Sequence, residues 1–248
     1  MIPRKWSVLI GMAVVIWLAV PAAAGIFMVD QNGEETLIAD GRLKNASEGM
    51  IWILDGPRNQ VVFINVDQKV YASGTPAEYC TSISAMFDRM MKSVPEEQRK
   101  MMEQMMNKGK GASPQDVSVA RSGDGGNILG FKTVKYRVLV DGELYKEVWL
   151  TTDGSLMQEY KPLIPALKKF DACTAGLNMG PSPENSPEYQ KIWDSGFELK
   201  SVIYEAGSPE PETDLVRLEK KTIPESEFRV PGGYKQVSFD ELLQTQME

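Results

Sequence analysis

Seven of the chain's 14 methionines fall between Met86 and Met106, and they are the first group of residues that could do chemistry. On a helix, Met101 would share a face with Met105, and Met102 with Met106. Thioether sulfur suits a soft ion such as Cu(I) or Ag(I). It also makes an adaptable apolar wall. No histidine is present to assist a metal. Helix packing or cavity lining is therefore the expected role of the cluster, with Met86 and Met90 facing a ligand; a metal buffer built on the later four is the lesser alternative. The absent histidine also removes Ser-His-Asp and Cys-His triads, His-ligated zinc or haem, and an imidazole switch. Gly123-Asp124-Gly125-Gly126 reads as a turn, since no Lys-Ser ending or strand–helix context makes it a phosphate loop. No enzyme, metal or cofactor is expected.

Cys80 and Cys173 are the only thiols. No C-x-x-C spacing lowers a thiol pKa, so a catalytic redox pair is not expected. Their chemistry depends on the compartment. Arg4 and Lys5 precede an apolar run, Trp6 to Val20, followed by Pro21-Ala22-Ala23-Ala24. That is the basic, apolar and small-residue order of a secretory signal, with cleavage expected after Ala24. The alternative is an uncleaved N-terminal membrane anchor. The remainder, residues 25–248, has no second stretch of spanning length and reads as a single domain. In an exported protein two cysteines favour one disulfide, Cys80–Cys173; two buried free thiols are the other possibility. The formal net charge of −7 argues against a basic nucleic-acid-binding face.

The elements that must position these residues follow from periodicity. Residues 26–74 read as a meander of short strands, with turns at Asp55-Gly56-Pro57 and Val66-Asp67-Gln68-Lys69. Thr75-Pro76-Ala77-Glu78 is a capping box with proline in the first turn. It opens an amphipathic helix through Tyr79, Ile83, Met86, Phe87, Met90, Met91 and Val94, which Pro95 interrupts. A second helix is expected from Glu96 to about Asn107. A third fits Pro162 to about Leu177, and a short one runs from Ser186 to Gly196. Strands are expected from Phe197 to Tyr204 and from Asp214 to Ile223. Between them Gly207 to Glu212 reads as an acidic, proline-rich linker. Phe228 to Tyr234 reads as a turn before a polar tail.

The clearest local signal is Asp141-Gly142 between alternating runs, a type I′ hairpin. A two-residue turn sets Val140 against Glu143, Val138 against Tyr145, Tyr136 against Glu147 and Val134 against Trp149. One face then carries Tyr136, Val138, Tyr145 and Trp149, with Glu147 as the one acidic residue inside it. These residues, with Met86 and Met90, are the expected ligand-binding set. Glu147 would hydrogen-bond Tyr136 or a ligand, because a buried carboxylate is costly unpaired; exposure by twist or at a strand end is the alternative. A lone carboxylate makes no acid–base pair.

Gly130-Phe131-Lys132-Thr133-Val134-Lys135-Tyr136-Arg137-Val138, then Glu147-Val148-Trp149, then Phe228-Arg229-Val230-Pro231-Gly232-Gly233-Tyr234 resemble the strand and closing motifs of exported bacterial proteins of the domain-of-unknown-function family 4412. The resemblance covers about residues 30–240. It implies a relation to the lipoprotein-carrier (LolA/LolB-like) fold and carries over no catalytic residue. The expected fold class is α+β, a curved antiparallel sheet (open or half barrel) covered on one face by helices. The expected role is a non-enzymatic periplasmic protein binding a lipid, acyl chain or lipidated protein in a sheet–helix cavity. An envelope protein-interaction module using the 207–212 linker is the alternative.

Overall fold

The computed structural model describes residues 22–100, 116–175, 183–205 and 208–245. The elements are β1 (Ala22–Asp30), β2 (Glu35–Ala39), β3 (Arg42–Ser47), β4 (Met50–Asp55), β5 (Gln60–Asn65), β6 (Val70–Gly74), α1 (Pro76–Ser93), β7 (Val117–Ile128), β8 (Phe131–Val140) and β9 (Glu143–Thr151). They continue with α2 (Gly154–Tyr160), α3 (Ile164–Ala175), α4 (Pro187–Ser195), β10 (Phe197–Glu205), β11 (Ser208–Pro224), β12 (Lys235–Gln236) and α5 (Phe239–Thr245). The strands form one sheet in the order β12-β6-β5-β4-β3-β2-β1-β11-β10-β9-β8-β7. Every pairing is antiparallel except that of β12 with β6.

Alternation along the meander sorts its side chains onto two faces. Ile26, Ile38, Leu43, Leu54 and Val61 stand opposite one another across β1 to β5, and all are buried. This Ile26 face shares one apolar cluster with Leu156 and Met157 of α2, Leu163, and Phe239 and Leu242 of α5. The Phe27 face carries Leu37, Ile53 and Val62, which pack with Ile223, Phe228 and Val230. Each fully buried aliphatic side chain contributes about 1.5–3 kcal/mol. Gly25 lies where strands and core meet: a Cβ there would be 2.6 Å from the Ile38 carbonyl oxygen, so no larger residue fits without moving backbone.

The capping box forms as the sequence predicts. Glu78 N donates to Thr75 Oγ1 at 3.2 Å, and Thr75 N donates to Glu78 Oε2 at 2.7 Å. The helix ends at Ser93, with Val94 extended ahead of Pro95. Tyr79 of α1 stacks on Phe63 of β5 at 4.4 Å and on Phe170 of α3 at 5.7 Å. Residues 96–100 are helical. Met101, Met102, Met105 and Met106 lie outside the described residues.

Several expectations are corrected. The third helix forms as α3 from Ile164, with Pro162 and Leu163 in the turn before it; ahead of it lies a short helix the sequence reading did not expect, α2, which Asp153 caps by accepting from Ser155 N and Leu156 N. The polar tail closes the core, because Ser238 and Glu241 form a second capping box that starts α5. Gly123 to Gly126 lies inside β7, at two bulges; the reversal is at Leu129-Gly130, both with positive φ. Residues 208–212 of the expected linker are strand. Pro209 pairs with Tyr204 and Pro211 with Val202. β1 accompanies β11 only from Leu215 onward, so these prolines have a free edge where a missing N–H costs nothing.

The largest correction concerns the β8–β9 hairpin. Asp141 and Gly142 adopt φ of 51° and 84°, as a type I′ turn needs. A bulge between Val138 and Leu139 then shifts the register by one. Val138 faces Lys146, Arg137 faces Glu147, Tyr136 faces Val148 and Lys135 faces Trp149. A one-residue slip moves every later side chain to the other face. Val148 and Leu150 are therefore buried with Tyr136, Val138 and Tyr145, beside Tyr189 and Ile192 of α4. Glu147 and Trp149 point the opposite way.

Candidate functional site

The predicted ligand-binding residues do not converge. Tyr136 and Val138 fill the cluster beside α4. Tyr145 packs against the same cluster, and its phenol donates to Glu184 at 2.6 Å. Met86 and Met90 ride on α1, which packs on α3, α5 and β5; Met90 is 41% exposed. Trp149 lies under the ammonium groups of Lys135 and Lys200, 4.6 and 5.9 Å from the ring centre.

Glu147 is buried, and three donors satisfy it. It accepts from Lys135 Nζ at 2.7 Å, Arg137 Nε at 3.0 Å and the Tyr204 hydroxyl at 2.9 Å. Burial alone would raise its pKa, but these three partners outweigh burial and hold it below the ordinary value of 4.5. A folded-state pKa below the unfolded one gives stability that is complete above about pH 4.5 and is lost as pH falls through the folded value. Glu147→Gln should therefore be less stable than wild type at pH 7, with the gap closing in acid. Urea midpoints from pH 7 to pH 2.5 test this; a gap unchanged at pH 2.5 would rule out the ion pairs as its source.

The bulge also sends Lys146 into the core. Its ammonium donates to the Tyr189 hydroxyl at 2.8 Å and pairs with Glu212, which also accepts from Ser201 Oγ at 3.0 Å. Burial works against the charge, but Glu198, Tyr189 and Glu212 together hold the ammonium protonated, with its pKa above the ordinary value. This cluster is closed and satisfied, and it leaves no reactive amine.

An arrangement able to take a ligand lies elsewhere, on the Ile26 face. A cleft of about 270 Å³ opens between β1–β3, β10–β11 and the end of α2. Its apolar wall is Met28, Ile38, Leu43, Leu215, Phe197 and Tyr160, and its polar wall is Asp30, Glu34, Thr36, Asn45, Thr213 and Glu198. The wall is built from local chemistry. Asp30 Oδ1 accepts from Asn32 N and Glu34 N, both at 2.9 Å, fixing the β1–β2 turn. Trp52 Nε1 donates to Asn45 Oδ1 at 3.1 Å, and Asn45 Nδ2 donates to Thr36 Oγ1 at 3.0 Å. Phe197 meets Tyr160 edge to face at 5.1 Å. Burial pushes the Tyr160 phenol up, with Glu198 and Asp194 adding to the rise. Among the described residues no lysine or arginine lines the cleft.

None of the predicted site residues lines this cleft. Alternation on β2 and β3 did carry a signal: Thr36 and Asn45 share a face with Ile38 and Leu43, so polar atoms stand on an otherwise apolar face. Glu198 and Thr213 join them only through long-range pairing.

The description "Domain of unknown function (DUF4412)" belongs to a family model that matches residues 84–234. That span is more than half of the chain and omits the β1–β6 meander. No curated protein matches the chain.

Proposed function

The chain belongs to the DUF4412 family, and from its geometry we propose that it is an exported, non-enzymatic protein that binds an apolar or amphipathic molecule in the cleft beside Tyr160. The observation that carries this is a concave site with an apolar floor and a few placed polar groups, the usual make-up of a small-molecule site. At about 270 Å³ the cleft suits one acyl chain or a small amphiphile, not a lipid with two long chains. The fold belongs to the same proposal: a curved sheet closed by helices on its Ile26 face, related to the lipoprotein carriers. In support, the buried residues of α2 and α5 join the Ile26 cluster.

Export rests on Arg4, Lys5 and the run to Ala24. β1 begins at Ala22, so a chain cleaved after Ala24 would open that strand at Gly25. Among the described residues no helix is long and apolar enough to cross a membrane. The Cys80–Cys173 disulfide belongs to the same reading. No cysteine among the described residues is free, while the side chain of Cys173 lies outside them. The interaction-module alternative would use residues 208–212 as a strand paired to β10 on one side and open on the other.

Fluorescence titration with the neutral dye N-phenyl-1-naphthylamine tests the cleft. The expected result is a saturable blue-shifted signal that Thr213→Trp, which fills the cleft from its wall, weakens about tenfold or more (about 1.4 kcal/mol). Circular dichroism separates occlusion from misfolding. A dye signal that is absent, or that survives in a folded Thr213→Trp variant, would overturn the cleft reading.

A further inference from the structure

Resting on that reading of the cleft, we infer that its ligand is cationic: a molecule with a protonated amine joined to an apolar body. Three carboxylates, Asp30, Glu34 and Glu198, line the cleft, and among the described residues no basic side chain does. Among the described residues Asp30 and Glu34 hydrogen-bond only neutral groups. Glu198 is half-buried and has no hydrogen-bond or salt-bridge partner among the described residues. The cation whose field reaches it is Lys146, and that ammonium is already bound to Glu212 and Tyr189.

A second observation comes from the aromatic wall. The Tyr160 hydroxyl, beside Glu198, also has no hydrogen-bond partner among the described residues. Tyr160 is partly buried against the core, and its hydroxyl can both donate and accept. An ammonium group placed between Glu198 and Tyr160 would meet a carboxylate, a phenol oxygen and an aromatic ring, which attracts cations when water is displaced. A fatty-acid carboxylate in the same place would face like charges and no donor lysine. The cleft therefore discriminates by sign as well as by greasiness.

Isothermal calorimetry with n-octylamine, n-octanol and octanoate, which share one tail, tests the inference at pH 7. Octylamine should bind at least tenfold more tightly than octanol, and octanoate should not bind. The Glu34→Gln, Glu198→Gln double variant should bring octylamine down to the octanol level while leaving octanol unchanged. Added salt should weaken octylamine alone. If octanol or octanoate matches octylamine, or the double variant keeps the preference, the cationic assignment fails while the cleft stands. If none of the three binds, the assignment fails, and the N-phenyl-1-naphthylamine titration decides separately whether the cleft reading fails with it.

Discussion

Val148→Glu should unfold the β7–β10 half of the protein, whereas Trp149→Glu should be tolerated. The two positions are adjacent, and the hairpin register decides which of them the core owns. Val148 is 0% exposed and packs in one cluster with Val138, Leu150, Tyr189 and Ile192. A carboxylate there has an apolar surround, and an unpaired buried charge costs about 3–5 kcal/mol, a large share of the roughly 5–15 kcal/mol that holds a domain together. Trp149 is half-buried on the opposite face, between Lys135 and Lys200. A glutamate in its place loses ring packing but gains two cations, so about 1–2 kcal/mol is the expected loss. Urea denaturation followed by far-UV circular dichroism measures both. A bulge-free hairpin would reverse the order, and that outcome would overturn the register.

The bulge shows where reading the sequence stops. Asp141-Gly142 states the turn, and the runs on either side state the strands, because those signals are local. The slip at Val138–Leu139 depends on partners that arrive from far along the chain. It places Lys146 against Tyr189 of α4 and Glu212 of β11. It also sets Glu147 against Arg137 and within reach of Tyr204 of β10. Neither set can be read from the hairpin alone. The helix caps teach the opposite lesson. Thr75-x-x-Glu78 is legible and forms; Ser238-x-x-Glu241 has the same spacing and forms equally well, so the apparent polar tail carried a start signal ahead of Phe239, Leu242 and Leu243. Pro209 and Pro211 misled in a third way. Proline argues against a central strand, but β11 is central only where β1 accompanies it, and no local pattern shows where β1 stops.

The cleft was the least legible feature for the same reason. Its Thr36–Asn45 row belongs to one hairpin and is readable as polar atoms on an apolar face. Glu198, Thr213 and Tyr160, which supply charge and wall, come from three other elements. Aromatic and methionine content pointed instead to β8, β9 and α1, where Tyr136 and Tyr145 pack beside α4, Trp149 lies under two lysines and Met90 is exposed. The cleft's selectivity rests on carboxylates that sequence reading treats as ordinary surface; Glu34-Glu35 is such a pair. Only the sheet order, which sets β1 between β2 and β11, shows Glu34 facing a cavity while Glu35 does not line it.

Replacing both Cys80 and Cys173 by serine should cost about as much stability as any core cavity. The two positions enclose roughly 90 residues, so a bond between them would remove about 4–5 kcal/mol of unfolded-chain entropy in the loop-closure treatment. The geometry around them favours such a bond. Cys80 follows Tyr79 in α1, and Cys173 stands three positions, close to one helical turn, after Phe170 in α3. Tyr79 and Phe170 stack at 5.7 Å with ring planes 14° apart, which brings the two helices together one residue from Cys80. A clamp here would fix α1 and α3 over Phe63 and Trp52 without touching the cleft beside α2. Oxidised wild-type protein should therefore show no reactive thiol when denatured without reductant. Reductant should lower its urea midpoint to that of the double serine variant and leave the variant's own midpoint unmoved. Ligand affinity should change little, because the cleft is built from β1–β3, β10, β11 and the end of α2. Two reactive thiols in protein prepared from an oxidising compartment, or equal stability with and without reductant, would refute the clamp.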